Sequence, residues 1–535
     1  MTPKPTNMPE VHEPTAVTVT PPTEAELGAK IPAHCQPCPP SFTLDAPLRW
    51  KTANSLEQKV LQNLQGNILK GHGRERTWNI FFTLGADRLK SRRFLRELGN
   101  YHVTDAYTQL LTTEAFKAND TDGGTFCAAF LSAAGYTQLG LTFTAPAGNT
   151  AFAPGMKAQS SLGALTDPPT TAWEPPFRGD LHGLVIVADD DLARGSVAVA
   201  RIQSLLVKAG GAVIHTQIGK AIRNPDGNGL EHFGYVDGRS QPLMLLEDIE
   251  KESRDEGIAH WDPAFPLSTA LVPDPLANDP DKLSFGSFFV FRKLEQRVKD
   301  FKTREQDLAD QLGLTGEDRE RAGALIVGRF EDGTPVTMSA EAKSLPSPHN
   351  DFNYRGDDQA SRCPFHAHIR KTNPRGSGGL QPQPAERLHI MARRGITYED
   401  QVRVIHPSAL PEAETRQEFL DEVAVHLPED GVGLLFMAYN AKLDDQFVFT
   451  QRFWANNLSF PGDPHGPLPP GGPPVPPRGI DGVIGQGQNL PAGQAYPVEW
   501  DNNAAGSRPL DFHGFVTMKG GEYFFAPSLR FLRDL

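Results

Sequence analysis

The stretch GLVIVADDDLARGSVAVARIQSLLVKAGGAVIHTQ, residues 183–217, contains two apolar runs on either side of a segment with helical spacing. The run over 183–188 is short and continuous, which is typical of a buried strand. Apolar residues recur at helical intervals over 192–209, and a second strand-like run covers 212–217. This stretch therefore predicts a strand, a helix and a strand in succession.

The residues upstream of this stretch extend the same pattern. They predict a strand at 79–84, an amphipathic helix at 88–98 and a strand at 125–131. The combined order β-α-β-β-α-β is that of a ferredoxin-like unit. We therefore expect the first half of the chain to form one antiparallel sheet with helices on one face.

The second half of the chain repeats this order less cleanly. Its strand candidates lie at residues 287–292, 388–392, 432–439 and 523–526. Its helix candidates are residues 295–312, a segment capped by Thr315 that leads into 324–330, and residues 444–456. Two antiparallel sheets with peripheral helices are therefore expected, which is an α+β fold.

The domain boundaries follow from changes in composition. Residues 1–57 form a leader rich in Pro and Thr, which we expect to be disordered or loosely packed. The N-terminal ferredoxin-like domain is expected over 58–240 and the C-terminal one over 241–535. Within the latter, residues 461–497 are so dense in Pro and Gly that a surface excursion is expected, either a linker or a loop bordering a cleft.

The composition excludes several classes of protein. The 535 residues carry a formal net charge of −13, which disfavours nucleic acid and anionic membranes as partners. No apolar run is long enough to span a bilayer, and no signal-peptide pattern is present. Four cysteines are too few for a disulfide scaffold in a chain of this length. We therefore expect a cytoplasmic protein that could also form a homo-oligomer.

The first motif that suggests chemistry is FGYVDGRSQP, residues 233–242, in which Asp237 is the lone carboxylate between two glycines. Glycine lets the backbone approach a ligand closely, so this acid could lie directly over a flat group. Because Asp-Gly is also an ordinary turn dipeptide, a simple turn is the alternative.

The second motif is RCPFHAHIRKTNPR, residues 362–375, which combines two histidines with several cations. Imidazole is a ligand of haem iron, and arginine suits the haem propionates. A solvated cationic face with one packed histidine is the alternative interpretation. The motif is therefore a candidate haem site that needs other evidence.

The third motif is RLHIMARRGI, residues 387–396, in which Arg393 and Arg394 end an apolar run. Successive strand residues alternate in direction, so one of the two arginines would face inward. A buried arginine requires an anionic partner, whereas exposure of both arginines is the alternative.

Together and in this order, the three motifs resemble the DyP-type (dye-decolourising) haem peroxidase family. The matching elements are Gly-x-x-Asp-Gly at 234–238, the Cys-Pro to Asn-Pro-Arg element at 363–375, and the Arg-Arg-Gly element that follows. Further similarity includes QGNILKG at 65–71 and DLHG at 180–183, so the resemblance covers roughly residues 58–535. The long C-terminal half is most similar to the larger bacterial and fungal subclass.

The resemblance implies a fold of two ferredoxin-like domains that is dimeric α/β-barrel-like. It also implies a haem b per chain and a reaction with hydrogen peroxide that oxidises dyes, phenolics or other small aromatic reductants. It implies that His368 is the proximal iron ligand, that Asp237 is the distal acid–base residue and that Arg393 is the distal arginine. Arg375 corresponds to a propionate partner, and Asp444 falls where the family carries the carboxylate behind the proximal histidine. Asp445 is the rival for that carboxylate, and His366, at a position that is usually small, is a departure from the pattern.

These groups suit peroxide chemistry. One positioned acid can take a proton from the near peroxide oxygen and deliver it to the far one, while a cation stabilises the charge that develops. A carboxylate behind the proximal imidazole raises the basicity of that ligand. Two alternatives remain open from the sequence: a haem-binding protein for haem or iron handling, with incidental peroxidase activity, and a non-enzymatic assembly module.

Overall fold

The computed structural model of the protein describes residues 42–344, 348–400, 404–411, 413–461, 478–487 and 491–535. In this part of the chain the strands are β1 (Arg76–Thr83), β2 (Phe126–Leu131), β3 (Gly183–Ala188), β4 (Ala212–Lys220), β5 (Ile222–Arg223), β6 (Gly229–Leu230), β7 (Val272–Pro273), β8 (Phe285–Gln296), β9 (Ala392–Arg393), β10 (Ile396–Glu399), β11 (Val432–Asn440), β12 (Ala495–Pro497), β13 (Ser507–Pro509) and β14 (Val516–Ala526).

The longer α-helices are Ser55–Asn63, Arg88–Tyr101, Ala106–Asn119, Leu192–Lys208, Leu246–Asp255, Val298–Leu312 and Glu320–Val327. Shorter α-helical segments are Ala133–Gln138, Gln159–Leu165, Pro175–Arg178, His368–Thr372, Gln383–Glu386, Arg416–Glu418, Phe447–Phe449 and Leu529–Asp534. The 3₁₀ segments are Thr170–Ala172, Leu267–Thr269, Gly316–Arg319, Arg387–His389, Pro407–Ala409, Ala424–His426 and Asn503–Ala505, and π-helical turns cover Phe419–Val423 and Thr450–Ala455. No helix in the described residues is both long and apolar enough to cross a membrane.

The segment from β3 to β4 shows how the sequence builds these elements. Every residue of β3 is buried, as its continuous apolar run predicts. The following helix begins where the Asp191 carboxylate accepts hydrogen bonds from the first free backbone amides, Ala193 N at 2.8 Å and Arg194 N at 2.9 Å. The buried helix residues recur at helical spacing and face the sheet: Gly195, Val199, Ile202 and Leu206.

One sheet joins both halves of the chain, in the strand order β10-β11-β8-β14-β2-β3-β1-β4. In addition, β7 pairs with β8 and β9 pairs with β11. The two halves meet where β14 pairs with β2, at Phe525 and Leu131. This antiparallel architecture with helices confirms the α+β fold class predicted from the sequence.

The two ends of this strand path lie side by side. The Thr397 hydroxyl in β10 donates a hydrogen bond to the carbonyl of Lys220 in β4, and the Lys220 ammonium lies 3.1 Å from the Glu399 carboxylate. Aromatic rings fill the core between the strands, for example Phe130 stacked on Phe289 with ring centroids 4.3 Å apart. The sheet therefore curves around a packed interior.

The structure places the start of the folded body earlier than predicted. Residues 42–57, assigned to the leader, contain the buried residues Leu48 and Trp50, and Leu48 forms a β-bridge with Leu245. Asn54 caps the helix Ser55–Asn63 through a capping box with Glu57. The remainder of the predicted leader, residues 1–41, lies outside the described residues.

The Pro/Gly-rich segment 461–497 was expected to be a surface excursion, either a linker or a loop bordering a cleft, and its described part agrees with the second interpretation, since Val483 and Ile484 line a cavity. Residues 462–477 and 488–490 lie outside the described residues. Ile480, Asp481, Gln494 and Tyr496 are all at most 2 % exposed. The backbone of Asp481 is tied to the preceding helical turn, since Asp481 N donates to Ala455 O at 2.8 Å. This segment therefore contributes to the interior and, as shown below, to the site.

Candidate functional site

A cavity of about 550 Å³ brings the three sequence motifs together. Its lining includes Asp237 from the first motif, His368 and Arg375 from the second, and Arg393 and Arg394 from the third. The volume lies within the range of about 300–1,000 Å³ that is usual for ligand and cofactor sites. This arrangement agrees with the expectation that the three motifs share one site.

His368 is the first residue of the helix His368–Thr372, and its ring is fixed by one carboxylate. Its Nδ1 donates to Asp481 Oδ2 at 2.9 Å. The other ring nitrogen, Nε2, has no hydrogen-bond partner among the described residues. An imidazole held by Nδ1 in this way presents Nε2 as a lone-pair donor to the cavity.

Asp481 is itself held on all sides. It is fully buried, and its Oδ1 accepts hydrogen bonds from Val483 N at 2.8 Å and Ile484 N at 2.9 Å. The carboxylate is therefore fixed before any ligand binds. Because Val483 and Ile484 also line the cavity, the segment 478–487 forms part of the cavity wall.

The assignment of Asp444 to the place behind His368 is corrected by this geometry. The Asp444 carboxylate accepts from Thr150 N and Thr150 Oγ1, both at 2.7 Å, and from Ala151 N at 3.1 Å. Asp445 is not the partner either, since the carboxylate of Asp481 occupies that position. The signal that could have found Asp481 is GIDG at 479–482, a lone carboxylate between glycines of the same kind that singled out Asp237.

The ion pair changes the protonation of both partners. Burial opposes the charged form of His368, but the charge and hydrogen bond of Asp481 outweigh it, so the pKa of His368 is raised. Burial likewise opposes the charged form of Asp481, but His368 and the two backbone amides outweigh it, and the pKa of Asp481 is lowered. Asp481 is therefore charged and accepts the hydrogen bond from His368 Nδ1.

His366 does not compete with His368 for the cavity. It is 2 % exposed, its Nε2 lies 3.2 Å from Ala495 O, and its ring packs edge-on against Tyr496. Burial lowers the pKa of His366 to about 3, so it is a neutral packed histidine. The open question of which histidine faces the cavity is answered in favour of His368.

Asp237 lies at the end of the turn that begins in β6 (Gly229–Leu230). Its backbone amide donates to Gly229 O at 2.9 Å, which closes the turn. No hydrogen bond or ion pair from the described residues reaches its carboxylate. The acid therefore lines the cavity with its full capacity to accept or donate a proton.

Arg393 lies in β9, opposite Ala438 of β11, and lines the same cavity. Its Nη2 donates to Arg239 O at 2.8 Å, and its backbone amide donates to the Gln241 side chain at 3.0 Å. In the described part of the chain it forms no ion pair with Asp237. The two predicted distal residues thus share the cavity without neutralising each other.

Two further arginines at the cavity, Arg329 and Arg375, are buried cations with neutral partners. Arg375 donates to Asn350 O, Phe352 O, Ser240 Oγ and Asn350 Oδ1, each at 2.7 Å. Arg329 donates to Gly333 O and His349 O, both at 2.7 Å.

Burial lowers the pKa of Arg375 to about 9 and that of Arg329 to about 10. No carboxylate among the described residues pairs with either, so an anionic group is expected beside them. Arg329 was not assigned a role from the sequence.

These residues fit a haem. The donor set is one imidazole with a carboxylate behind it, which is the usual protein ligation of haem iron in peroxidases. The uncompensated arginines suit two carboxylates of a porphyrin edge. The size of the cavity, the free Nε2 of His368 and the two arginines are therefore all consistent with a bound haem.

The chain is thus an α+β protein, built on paired ferredoxin-like units, whose cavity suits a haem. A family model described as the DyP dimeric alpha+beta barrel domain matches residues 63–223. The chain is 46 % identical to the multifunctional dye peroxidase DyP2 of an Amycolatopsis species, covering 92 % of this chain and 99 % of that protein. It is 31 % identical to a dye-decolorizing peroxidase of Mycetinis scorodonius, covering 90 % and 89 %.

Solved structures agree with the sequence relatives. The structure of the Amycolatopsis DyP2 superimposes with a TM-score of 0.82 at 44 % identity, covering 92 % of this chain and all of that one. A DyP-type peroxidase from Anabaena gives a TM-score of 0.78 at 34 % identity, covering 91 % and 97 %. The chain belongs to the dye-decolourising (DyP-type) peroxidase family.

Proposed function

We propose that this protein is a haem b peroxidase, with one haem per chain, that consumes hydrogen peroxide and oxidises dyes, phenolics or other small aromatic reductants. Its membership of a family whose relatives are named dye peroxidases supports this function. The observation that carries the proposal is the 2.9 Å bond from His368 Nδ1 to Asp481, which leaves Nε2 free in the cavity that Asp237 and Arg393 also line.

His368 Nε2 is the atom that would hold the iron. When bound, haem supplies the metal centre at which peroxide is reduced and through which electrons are taken from the reductant. Asp481 keeps the Nδ1 proton on His368 and makes Nε2 a stronger electron donor. Arg329 and Arg375 would hold the anionic edge of the porphyrin, since both are buried without a carboxylate partner among the described residues.

Asp237 performs the proton transfer. Its carboxylate can remove a proton from one oxygen of hydrogen peroxide and return it to the other, so that water rather than hydroxide leaves. The guanidinium of Arg393 stabilises negative charge on the peroxide oxygens as their bond breaks. Because neither side chain is bound to the other, each can address the peroxide.

The proposal is tested by absorption spectroscopy of the purified protein. Titration with haem should give a Soret band that saturates at one haem per chain, and added hydrogen peroxide should shift that band before a dye is bleached. Free haem at the same concentration is the control, because it also reacts slowly with peroxide. Absence of a Soret band would contradict haem binding, and a stable band that peroxide does not change would favour haem handling instead.

A further inference from the structure

The position of the Asp237 carboxylate depends on the backbone that carries it. No side chain or amide of the described residues bonds to that carboxylate. An acid without hydrogen bonds or ion pairs of its own depends on its turn for its position. The residues that fix the turn therefore determine where Asp237 points.

A second carboxylate, Glu231, fixes this turn from the inside. Its Oε2 accepts from Phe233 N at 2.9 Å and its Oε1 from Tyr235 N at 3.0 Å. The Gln296 side chain at the end of β8 donates a third hydrogen bond to Oε2. Both oxygens of Glu231 are thus used to hold the residues immediately before Asp237.

The backbone of Glu231 contributes to the same turn. Glu231 O accepts from Gly234 N at 3.0 Å, and Glu231 N donates to Tyr235 O at 3.1 Å. Gly234 has a left-handed φ of +107°, a conformation that favours glycine, and a Cβ there would meet the Glu331 carboxyl at 3.2 Å. The conformation of the turn therefore depends on the hydrogen bonds that Glu231 accepts inside it.

We infer that Glu231 is the positioning residue of the acid–base group: it clamps the turn that holds Asp237 in the cavity. This inference rests on the proposed function, in which Asp237 transfers the peroxide proton. Glu231 also lines the cavity, so replacing it should change the structure at the site rather than in a remote part of the fold.

The test is a double-mutant cycle of Glu231→Gln and Asp237→Asn, read by stopped-flow as the rate at which peroxide changes the Soret band of the haem-loaded protein. Glu231→Gln presents an amide to backbone donors and should slow this rate by about tenfold or more. In the Asp237→Asn background the same change should alter the rate by less than about twofold, because the acid it positions is absent.

Asp274 offers a matched control. It is 7 % exposed, accepts from Leu276 N and Ser528 N at 3.1 and 2.8 Å, and does not line the cavity. Asp274→Asn should react with peroxide at the wild-type rate per bound haem. A slow Asp274→Asn variant would mean that losing any such buried carboxylate disturbs the site, and the specific role of Glu231 would be overturned.

The outcomes separate this inference from the proposed function. A slow Asp237→Asn beside a wild-type Glu231→Gln overturns the role of Glu231 and leaves the peroxidase proposal intact. Losses that multiply in the double variant also overturn it, since independent effects multiply. If Asp237→Asn reacts at the wild-type rate, the proposed proton transfer itself fails.

Gln296→Leu provides a second variant if Glu231→Gln does not fold or load haem. It removes one of the three donors and leaves both backbone hydrogen bonds to Glu231. A loss of about threefold that disappears in the Asp237→Asn background would support the inference. A wild-type rate in Gln296→Leu would overturn it.

Discussion

Two pairs of residues at the cavity differ in how firmly the protein holds them. In the proposed ligand pair, His368 and Asp481, the carboxylate is fully buried and both of its oxygens have a partner. In the proposed acid–base pair, Asp237 and Arg393, the carboxylate has no hydrogen-bond or ion-pair partner among the described residues and the guanidinium has one hydrogen bond. A group that grips a cofactor is preorganised, whereas a group that handles a proton keeps its bonding capacity for the substrate.

Removing the imidazole should break the ligand pair completely. We expect His368→Ala to lose stoichiometric haem binding, because no other cavity-facing imidazole is held by a carboxylate in the described residues. The measurement is the Soret absorbance per chain after haem titration and gel filtration. His366→Leu is the control and should keep the band, since His366 packs against Tyr496. An unchanged spectrum in His368→Ala would show that another residue binds the iron.

Neutralising either member of the proposed acid–base pair should leave haem binding intact and slow the reaction with peroxide. Asp237→Asn and Arg393→Leu should each lower the rate of the peroxide reaction by at least about 10²-fold, the usual scale for losing an acid–base group or a charge-stabilising donor. Stopped-flow measurement at matched haem content checks this. Arg393→Leu at wild-type speed would remove Arg393 from the mechanism.

Weakening the carboxylate of the ligand pair should have an intermediate effect. Asp481→Asn should lower haem affinity or the peroxide rate by roughly 10- to 100-fold, as is typical of outer-sphere partners of a ligating histidine. Asp444→Asn should change neither, because Asp444 bonds to Thr150 and Ala151 instead. Equal losses in both variants would contradict the correction that places Asp481 behind His368.

A smaller effect should appear in the pH dependence of haem uptake by the haem-free protein. His368 must release the proton on Nε2 to bind iron, and its pKa is raised above the ordinary value of 6.5. Haem affinity should therefore increase as pH rises above about 6.5 and level off above the raised pKa. Titrations from about pH 6 to about pH 9, followed by tryptophan fluorescence, measure this.

The same shift affects the stability of the haem-free fold, with the opposite trend. A raised folded-state pKa stabilises the fold fully below pH 6.5, and this stabilisation is lost as pH rises through the pKa of His368.

For haem uptake, Asp481→Asn should move the rise in affinity to lower pH, because the negative charge that keeps His368 protonated is gone. A haem affinity that does not vary with pH in the wild type would contradict the ion pair.

The motif residues could be predicted from the sequence because each motif is continuous in the chain. His368, Asp237 and Arg393 each lie in a short segment of distinctive composition, and all three line the cavity. Their chemical roles are predictions that the variants above test. The cytoplasmic location and the oligomeric state also stay predictions.

Asp481 could not be assigned in the same way. It lies 113 residues from His368 in the chain, inside a Pro/Gly-rich segment that lacks periodicity. Asp481 becomes the partner of His368 only through the folding of the chain, which brings the two side chains together. Glu231 was missed for a related reason, because its role depends on backbone amides rather than on a motif of side chains.

Secondary structure was predicted best where periodicity was clear. The strand 183–188 matches β3, and the helix predicted over 192–209 is Leu192–Lys208. The strand predicted over 388–392 was mostly wrong: Arg387–His389 is a 3₁₀ turn, in which Arg387 donates to Asp262 O and Ala264 O. An apolar run that short cannot be assigned from periodicity alone. The helix predicted over 444–456 is a short α-turn followed by a π-turn.

The local anchoring of Asp481 makes its geometry independent of the length of chain that leads to it. Ala455, Val483 and Ile484 hold the residue by backbone bonds, so the spacing between the imidazole and its carboxylate need not be conserved. The orientation of the Asp481 carboxylate is therefore set by these near neighbours, two of which also line the cavity.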